Sequence, residues 1–185
     1  MSRLVLASRS PQRRAILEQI GVEFTVDVPN VDELDAGPPH EVALENAFRK
    51  ASAVAARAPG ELILGVDTLV SLGARLYGKP ADEEQARTML SALSGRRHTV
   101  VSGICLIADG AARTAAASTA VEFRALDTML IDWYVASGEW RERAGAYAIQ
   151  GRGAALVAGI EGDFLNVVGL PVTTLLELAP GLLSG

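Results

Sequence analysis

Between Leu62 and Val70 the chain is almost continuously apolar, and the residue that breaks the run is a carboxylate. Leu62-Ile63-Leu64-Gly65-Val66 leads into Asp67-Thr68, after which Leu69-Val70 resumes the pattern. So short an apolar run reads as a strand. A carboxylate inside such a strand costs several kcal/mol unless a cation or hydrogen-bond donors compensate it, so something charged must face Asp67. The alternative is a strand that stops there in an exposed Asp-Thr turn.

The flanking segments alternate in type. Arg3 to Ala7 reads as a strand, Ser8 to Pro11 as a turn with a Ser cap and a Pro at the helix start, and Gln12 to Gln19 as a helix closed by Gly21. Phe24 to Val28 is a second strand, and a helix runs from Pro38-Pro39 to about Ala58, ended by Pro59-Gly60. On that helix Leu44, Phe48, Ala51 and Ala55 mark the core stripe, with Ala43, Ala47, Lys50 and Val54 beside it. Arg75 to Tyr77 returns after a turn at Gly73, and Asp82 to Leu93 is helical. Thr99 to Ala108 and Thr114 to Arg124 form an antiparallel pair whose connection begins at Asp109-Gly110, followed by a helix over Asp127 to Ala136. Ala144 to Gly169 is rich in Gly and short strands, with Glu161-Gly162-Asp163 as a hairpin turn, and Pro171 to Leu178 is the last helix. The hairpins exclude a purely parallel sheet and point to a mixed α/β fold.

Length and composition narrow the classes. At 185 residues the chain is read as one folding unit over 1–185, and with 49% apolar but 5% aromatic residues its core must come from Ala, Val, Leu and Ile. A formal charge of −5 argues against a broad nucleic-acid surface but leaves room for a small anionic ligand. Cys105, the single cysteine, lies in an apolar run and reads as a buried thiol, which excludes an internal disulfide and a cysteine metal cluster. No stretch approaches the roughly 20 apolar residues of a membrane span. The first residues lack the pattern of a signal peptide, so a cytoplasmic location without membrane association is expected.

Several segments could carry chemistry. In Ser8-Arg9-Ser10-Pro11-Gln12-Arg13-Arg14, hydroxyls, free N–H groups at a helix start and guanidinium groups meet, as phosphate oxygens require; the bland reading is a capped helix with solvated arginines. Lys50 borders the core, where it is either a second candidate for the chemistry or a lysine that merely snorkels to water. Asp32-Glu33 could offer metal-binding oxygens, since magnesium favours one or two carboxylates plus substrate phosphates. Gly73 to Lys79 fits the G-x-x-x-x-G-K spacing, but Pro80 stands where a Ser or Thr is needed, so a P-loop is rejected and only Lys79 is kept as a phosphate contact. His40-Glu41 lacks the second histidine of a zinc-protease helix, and Gly151 and Gly153 lack the third glycine of a dinucleotide fingerprint.

Taken in order, these stretches resemble the Maf family of nucleotide pyrophosphatases over nearly the whole chain. They are Leu6-Ala7-Ser8-Arg9-Ser10-Pro11 with Arg13, Asp32-Glu33, Lys50-Ala51, Gly65 to Val70, Gly78-Lys79-Pro80, Leu93-Ser94-Gly95, Ala144 to Gly151, and Val168-Gly169-Leu170-Pro171. The resemblance implies a mixed twisted sheet in two lobes with a central cleft, related to inosine triphosphatase-like enzymes, and usually a homodimer. It also implies hydrolysis of nucleoside triphosphates to monophosphate and pyrophosphate. Asp67 would be the catalytic base, Glu33 and Asp67 would hold a magnesium or manganese ion, and Ser8, Ser10, Gln12, Arg13, Lys50, Thr68, Lys79 and Gln150 would bind substrate. Tyr147, Ile149 and Gln150 resemble the subgroup acting on dTTP and UTP, and a neutral amide at Gln150 can pair with a pyrimidine edge. Two alternatives stay open: the subgroup acting on 7-methyl-GTP, and a non-hydrolytic nucleotide-binding regulator of cell division. One position departs from the family, which often has two arginines directly after the Ser-Pro; here the first is Gln12, and Arg14 is the nearest substitute.

Overall fold

A computed structural model describes residues 3–183. The outermost residues of the expected unit, 1, 2, 184 and 185, lie outside the described residues. Strands β1 (Leu4–Ala7), β2 (Phe24–Val26), β3 (Leu62–Leu72), β4 (Arg75–Tyr77), β5 (Arg97–Ala108), β6 (Ala111–Phe123) and β7 (Val157–Glu161) form one sheet. Its order is β2-β1-β3-β5-β6-β7, with β4 paired to the far end of β3. Strand β1 runs parallel to both β2 and β3, and every other pairing is antiparallel. The sheet is therefore mixed, as the hairpin signals require.

Asp109 and Gly110 alone make the β5–β6 turn, with φ of 49° and 77°. Two left-handed residues twist in the same sense as the strands they join. Pairing consequently begins at once, Ala108 opposite Ala111, three residues earlier than the expected start at Thr114.

Among the described residues six α-helices flank the sheet: α1 (Pro11–Gln19), α2 (Pro39–Ala55), α3 (Glu83–Leu93), α4 (Thr128–Val135), α5 (Phe164–Val168) and α6 (Val172–Leu178). Alternation along the strands divides the core. Val5, Ala7 and Ile63 join α2 residues Ala47, Ala51 and Val54 on one face, while Leu4, Leu6 and Leu64 join Ile16, Leu17 and Leu175 from α1 and α6 on the other. A third cluster gathers Val70, Leu90, Val100, Phe123, Tyr134 and Tyr147 at the opposite end of β3 and β5. Two packed bodies thus share one sheet, and β3 passes from one to the other at Asp67 and Thr68.

Two expectations are corrected. On α2 the core face is Ala43, Ala47, Lys50 and Val54 together with Asn46 and Ala51, and Phe48 is 41% exposed. Small side chains face the sheet because the helix lies so close to it that a phenyl ring has no room. Ala144 to Gly169 is not a set of short strands either. It contains 3-10 turns at Ala144–Ala146 and Gly151–Leu156, then β7 and α5. Glu161-Gly162-Asp163 joins a strand to a helix rather than two strands, because the Asp163 carboxylate accepts the Leu165 N–H at 2.7 Å and caps α5.

Candidate active site

A cleft of about 730 Å3 opens where β3 crosses between the two packed bodies. Asp67 stands in its wall, 4% exposed, inside an eleven-residue strand that continues to Leu72. The exposed Asp-Thr turn is thereby excluded. The compensating groups come from α2, which meets the sheet at two glycines. A Cβ on Gly65 would lie 2.2 Å from the Ala47 carbonyl oxygen, and one on Gly103 would lie 2.3 Å from that of Ala43. This close approach presents Asn46 and Lys50, one helical turn apart, to the carboxylate. Lys50 Nζ donates to Asp67 Oδ1 at 2.6 Å, and Asn46 Nδ2 donates to Oδ2 at 3.0 Å. Lys50 also pairs with Glu33 Oε1 at 3.0 Å, so it does not snorkel to water.

The loop of residues 27–38, between β2 and α2, supplies Glu33 and is tied along its length to α2 and to the turn that follows it. Arg57 holds Asp27 through two bonds of 2.7 Å, Arg49 donates to the Asp32 carbonyl at 3.1 Å, and Asn46 bonds both the N–H and the C=O of Leu34. Asp32 itself does not face the cleft, whereas Leu34 and Asp35 do.

Ser10 caps α1 by accepting the Arg13 N–H, and its hydroxyl donates to Gln12 Oε1 at 3.1 Å. Arg13 is the hub of this wall. Its Nε donates to the Gly169 carbonyl at 2.9 Å, Nη1 to Ser8 Oγ at 2.9 Å and Nη2 to Thr68 Oγ1 at 3.1 Å. Three of the five guanidinium N–H groups are thus used within the protein and two remain for a ligand. Burial pulls the Arg13 pKa down, and Asp67 and Glu33 oppose that shift. Arg14 points away into a shallow groove with Arg3 and Glu18, so it does not replace the arginine missing at Gln12.

The rim is looser. Lys79 Nζ meets Glu142 Oε2 at 2.9 Å, with side chains 53% and 77% exposed. The ammonium of Lys79 holds the Glu142 carboxyl below its usual range, aided by the charge of Arg9. Gln150 is exposed and lines the cleft together with buried Tyr147 and Ile149. Behind them the Tyr147 hydroxyl meets His98 Nε2 at 2.9 Å. Burial pushes the His98 imidazole down to about 4 and raises the Tyr147 phenol, so both are neutral at physiological pH.

All ten residues given a role in the sequence analysis therefore line one cleft. Sequence reasoning missed Asn46, Arg9's companions Arg141 and Arg143 on the rim, and the His98 support of Tyr147. Asn46 had left a signal: asparagine is a weak helix former, and it sits mid-helix one turn before Lys50.

The carboxylate chemistry suits a magnesium-type ion. Asp67 and Glu33 face the cleft, and each Asp67 oxygen accepts one bond, which leaves a lone pair on each. Among the described residues no group of three or more His, Cys, Asp or Glu side chains is arranged to hold a metal. A dedicated protein cage is therefore ruled out among them, but a hard cation that completes its shell with substrate phosphates matches two carboxylates.

Known proteins are similar to the chain over nearly its whole length. The dTTP/UTP pyrophosphatase of Symbiobacterium thermophilum is 48% identical over 174 residues, 93% of this chain and 90% of that protein. The dTTP/UTP pyrophosphatase of Sphingopyxis alaskensis is 51% identical over 176 residues, covering 93% and 92%. That of Pyrococcus furiosus is 44% identical over 180 residues, covering 96% and 94%. A protein of known crystal structure from Vibrio cholerae overlays with a TM-score of 0.41 at 11% identity, over 74% of this chain and 68% of that one, too loosely to carry an argument. The pattern described as Maf-like protein matches residues 3–181, nearly every position that builds the sheet and the cleft, and on that match the chain belongs to the Maf family.

Proposed function

We propose that this protein hydrolyses nucleoside triphosphates, dTTP and UTP foremost, to the monophosphate and pyrophosphate. The observation that carries the reading is the buried Asp67 carboxylate, held at both oxygens, in a cleft that also presents Arg13, Lys50 and Lys79. The choice of dTTP and UTP rests on the names of the relatives and on the neutral amide of Gln150, which can pair with a pyrimidine edge.

In this reading Asp67 orients a water and takes its proton as the water oxygen bonds to the α-phosphorus. The bond from the α-phosphorus to the bridging oxygen breaks, and pyrophosphate leaves. The two free N–H groups of Arg13 and the ammonium of Lys79 meet the charge on the phosphates, and Lys79 exchanges Glu142 for substrate. Ser8, Ser10, Gln12 and Thr68 line the phosphate side with hydroxyl and amide groups. Asp67 and Glu33 would hold a magnesium or manganese ion, which supplies positive charge between carboxylate and triphosphate. Lys50 keeps Asp67 and Glu33 together before substrate arrives.

The test is a panel of dTTP, UTP, CTP and 7-methyl-GTP with magnesium or manganese, with pyrophosphate and orthophosphate measured separately. Pyrophosphate release with the highest kcat/KM for dTTP and UTP is expected. Absence of turnover with every nucleotide and metal overturns the hydrolase reading, and preference for the methylated purine overturns the role of Gln150.

A further inference from the structure

Asn46 is fully buried in the middle of α2, where an uncharged amide costs free energy unless all its hydrogen-bonding capacity is used. It is used on two different elements. Oδ1 accepts the Leu34 N–H at 2.7 Å, while Nδ2 donates to the Leu34 carbonyl at 3.0 Å and to Asp67 Oδ2 at 3.0 Å. The orientation of the amide is unambiguous, because a flip would set its oxygen against two acceptors. Gripping both the N–H and the C=O of one residue fixes the amide plane much as a neighbouring strand would.

Lys50 repeats this bridge one turn later by joining Asp67 Oδ1 to Glu33. Each Asp67 oxygen is therefore bonded to a separate α2 side chain, and each of those side chains holds one of two consecutive residues of the 27–38 loop. Lys50 alone, a point charge on a flexible stem, would let the carboxylate turn about its Cβ–Cγ bond. The second bond, from an amide that is itself pinned, stops that rotation.

We infer that Asn46 is a positioning residue that sets the plane of the Asp67 carboxylate and couples it to the loop of residues 27–38, so that loop and carboxylate are ordered together. The consequence for catalysis rests on the proposed hydrolysis; the coupling itself does not. Asn46 has no place in the lining of the cleft, so its loss should slow the chemical step without weakening nucleotide binding.

The experiment uses Asn46→Leu and the milder Asn46→Ala, where water can reach the freed N–H and C=O of Leu34. Binding stoichiometry for a nucleotide with a methylene bridge between the α- and β-phosphorus gives the folded, binding-competent fraction, to which kcat is normalised. For Asn46→Leu a fall in normalised kcat of about 10- to 100-fold is expected with KM changed less than about 3-fold, because a misplaced reacting group costs rate on that scale. Asn46→Ala should show the same split with a smaller fall. Faster amide hydrogen exchange at Leu34 is expected in both. Wild-type normalised kcat in the folded variants, or unchanged exchange at Leu34, overturns the inference. Should the unaltered protein turn over no triphosphate, the hydrolase reading has failed, and the exchange at Leu34 still decides whether Asn46 tethers the loop.

Discussion

Asp67 and Lys50 on the inner wall of the cleft, and Asn46 behind them, are all less than a tenth exposed, and each is held by at least two partners, whereas Lys79 and Glu142 at the rim meet as one exposed pair. The wall is organised before any ligand arrives. Its charges lie in a medium of low effective dielectric, where their interactions are strong and salt screens them little. The rim pair is wet and screened, so it can exchange partners cheaply. This division suits a site that performs chemistry at a rigid carboxylate and admits a flexible polyanion past adjustable cations.

The comparison is best broken at Asp67. Asp67→Asn should lower turnover by about 10²- to 10⁴-fold while nucleotide binding persists, as expected for loss of a general base. Pyrophosphate release and calorimetric titration check this, and loss of binding in step with turnover would merge wall and rim into one function. Lys50→Met should cost roughly 3–5 kcal/mol in urea denaturation, because it leaves the buried Asp67 without its cation. Lys79→Met at the rim should stay within about 1 kcal/mol.

His98, which supports Tyr147 from below, gives the pH dependence its sign. The fold favours the neutral imidazole, with a pKa of about 4 against an ordinary 6.5, so the unfolded chain takes up the proton first. This contribution is intact above pH 6.5 and is lost as pH falls from there to about 4, by up to about 3 kcal/mol. Denaturant midpoints measured across that range should fall in the unaltered protein and fall less in His98→Gln. Gly65→Ala sharpens the description of the wall. Its Cβ cannot coexist with the Ala47 carbonyl, so α2 must shift, at roughly 1–3 kcal/mol, with a parallel loss of turnover. The smallest effect belongs to Glu142→Gln. Glu142 carries its charge at neutral pH, and Lys79 holds its carboxyl below the usual range. Neutralising it should free Lys79 and lower KM severalfold at low salt, an effect that kinetics in high salt should erase.

Much of the fold was legible because the elements announce themselves locally. Ser10-Pro11, Pro38-Pro39 and Asp109-Gly110 mark boundaries through backbone preferences that act within a few residues. Asp67 was legible for a related reason, since a charge in an apolar strand is costly wherever the strand ends up. The register of α2 was not. Periodicity placed Phe48 inside, but Gly65 and Gly103, far from it in sequence, bring the helix too close to the sheet for a ring. In the sequence Asp163 reads as part of a hairpin turn, because its capping role depends on a helix only five residues long.

What the sequence by itself determined is the order of strands and helices as far as α4, the mixed sheet and the need for a counter-charge at Asp67, because each follows from short-range preferences or from the cost of burying charge. Which groups meet that need was decided by tertiary structure. Lys50 and Asn46 reach Asp67 only because two distant glycines admit α2, and Arg14 is turned away although it neighbours Arg13 in sequence. Adjacent residues on a helix diverge by about 100°, while residues far apart converge wherever the packing of backbones allows.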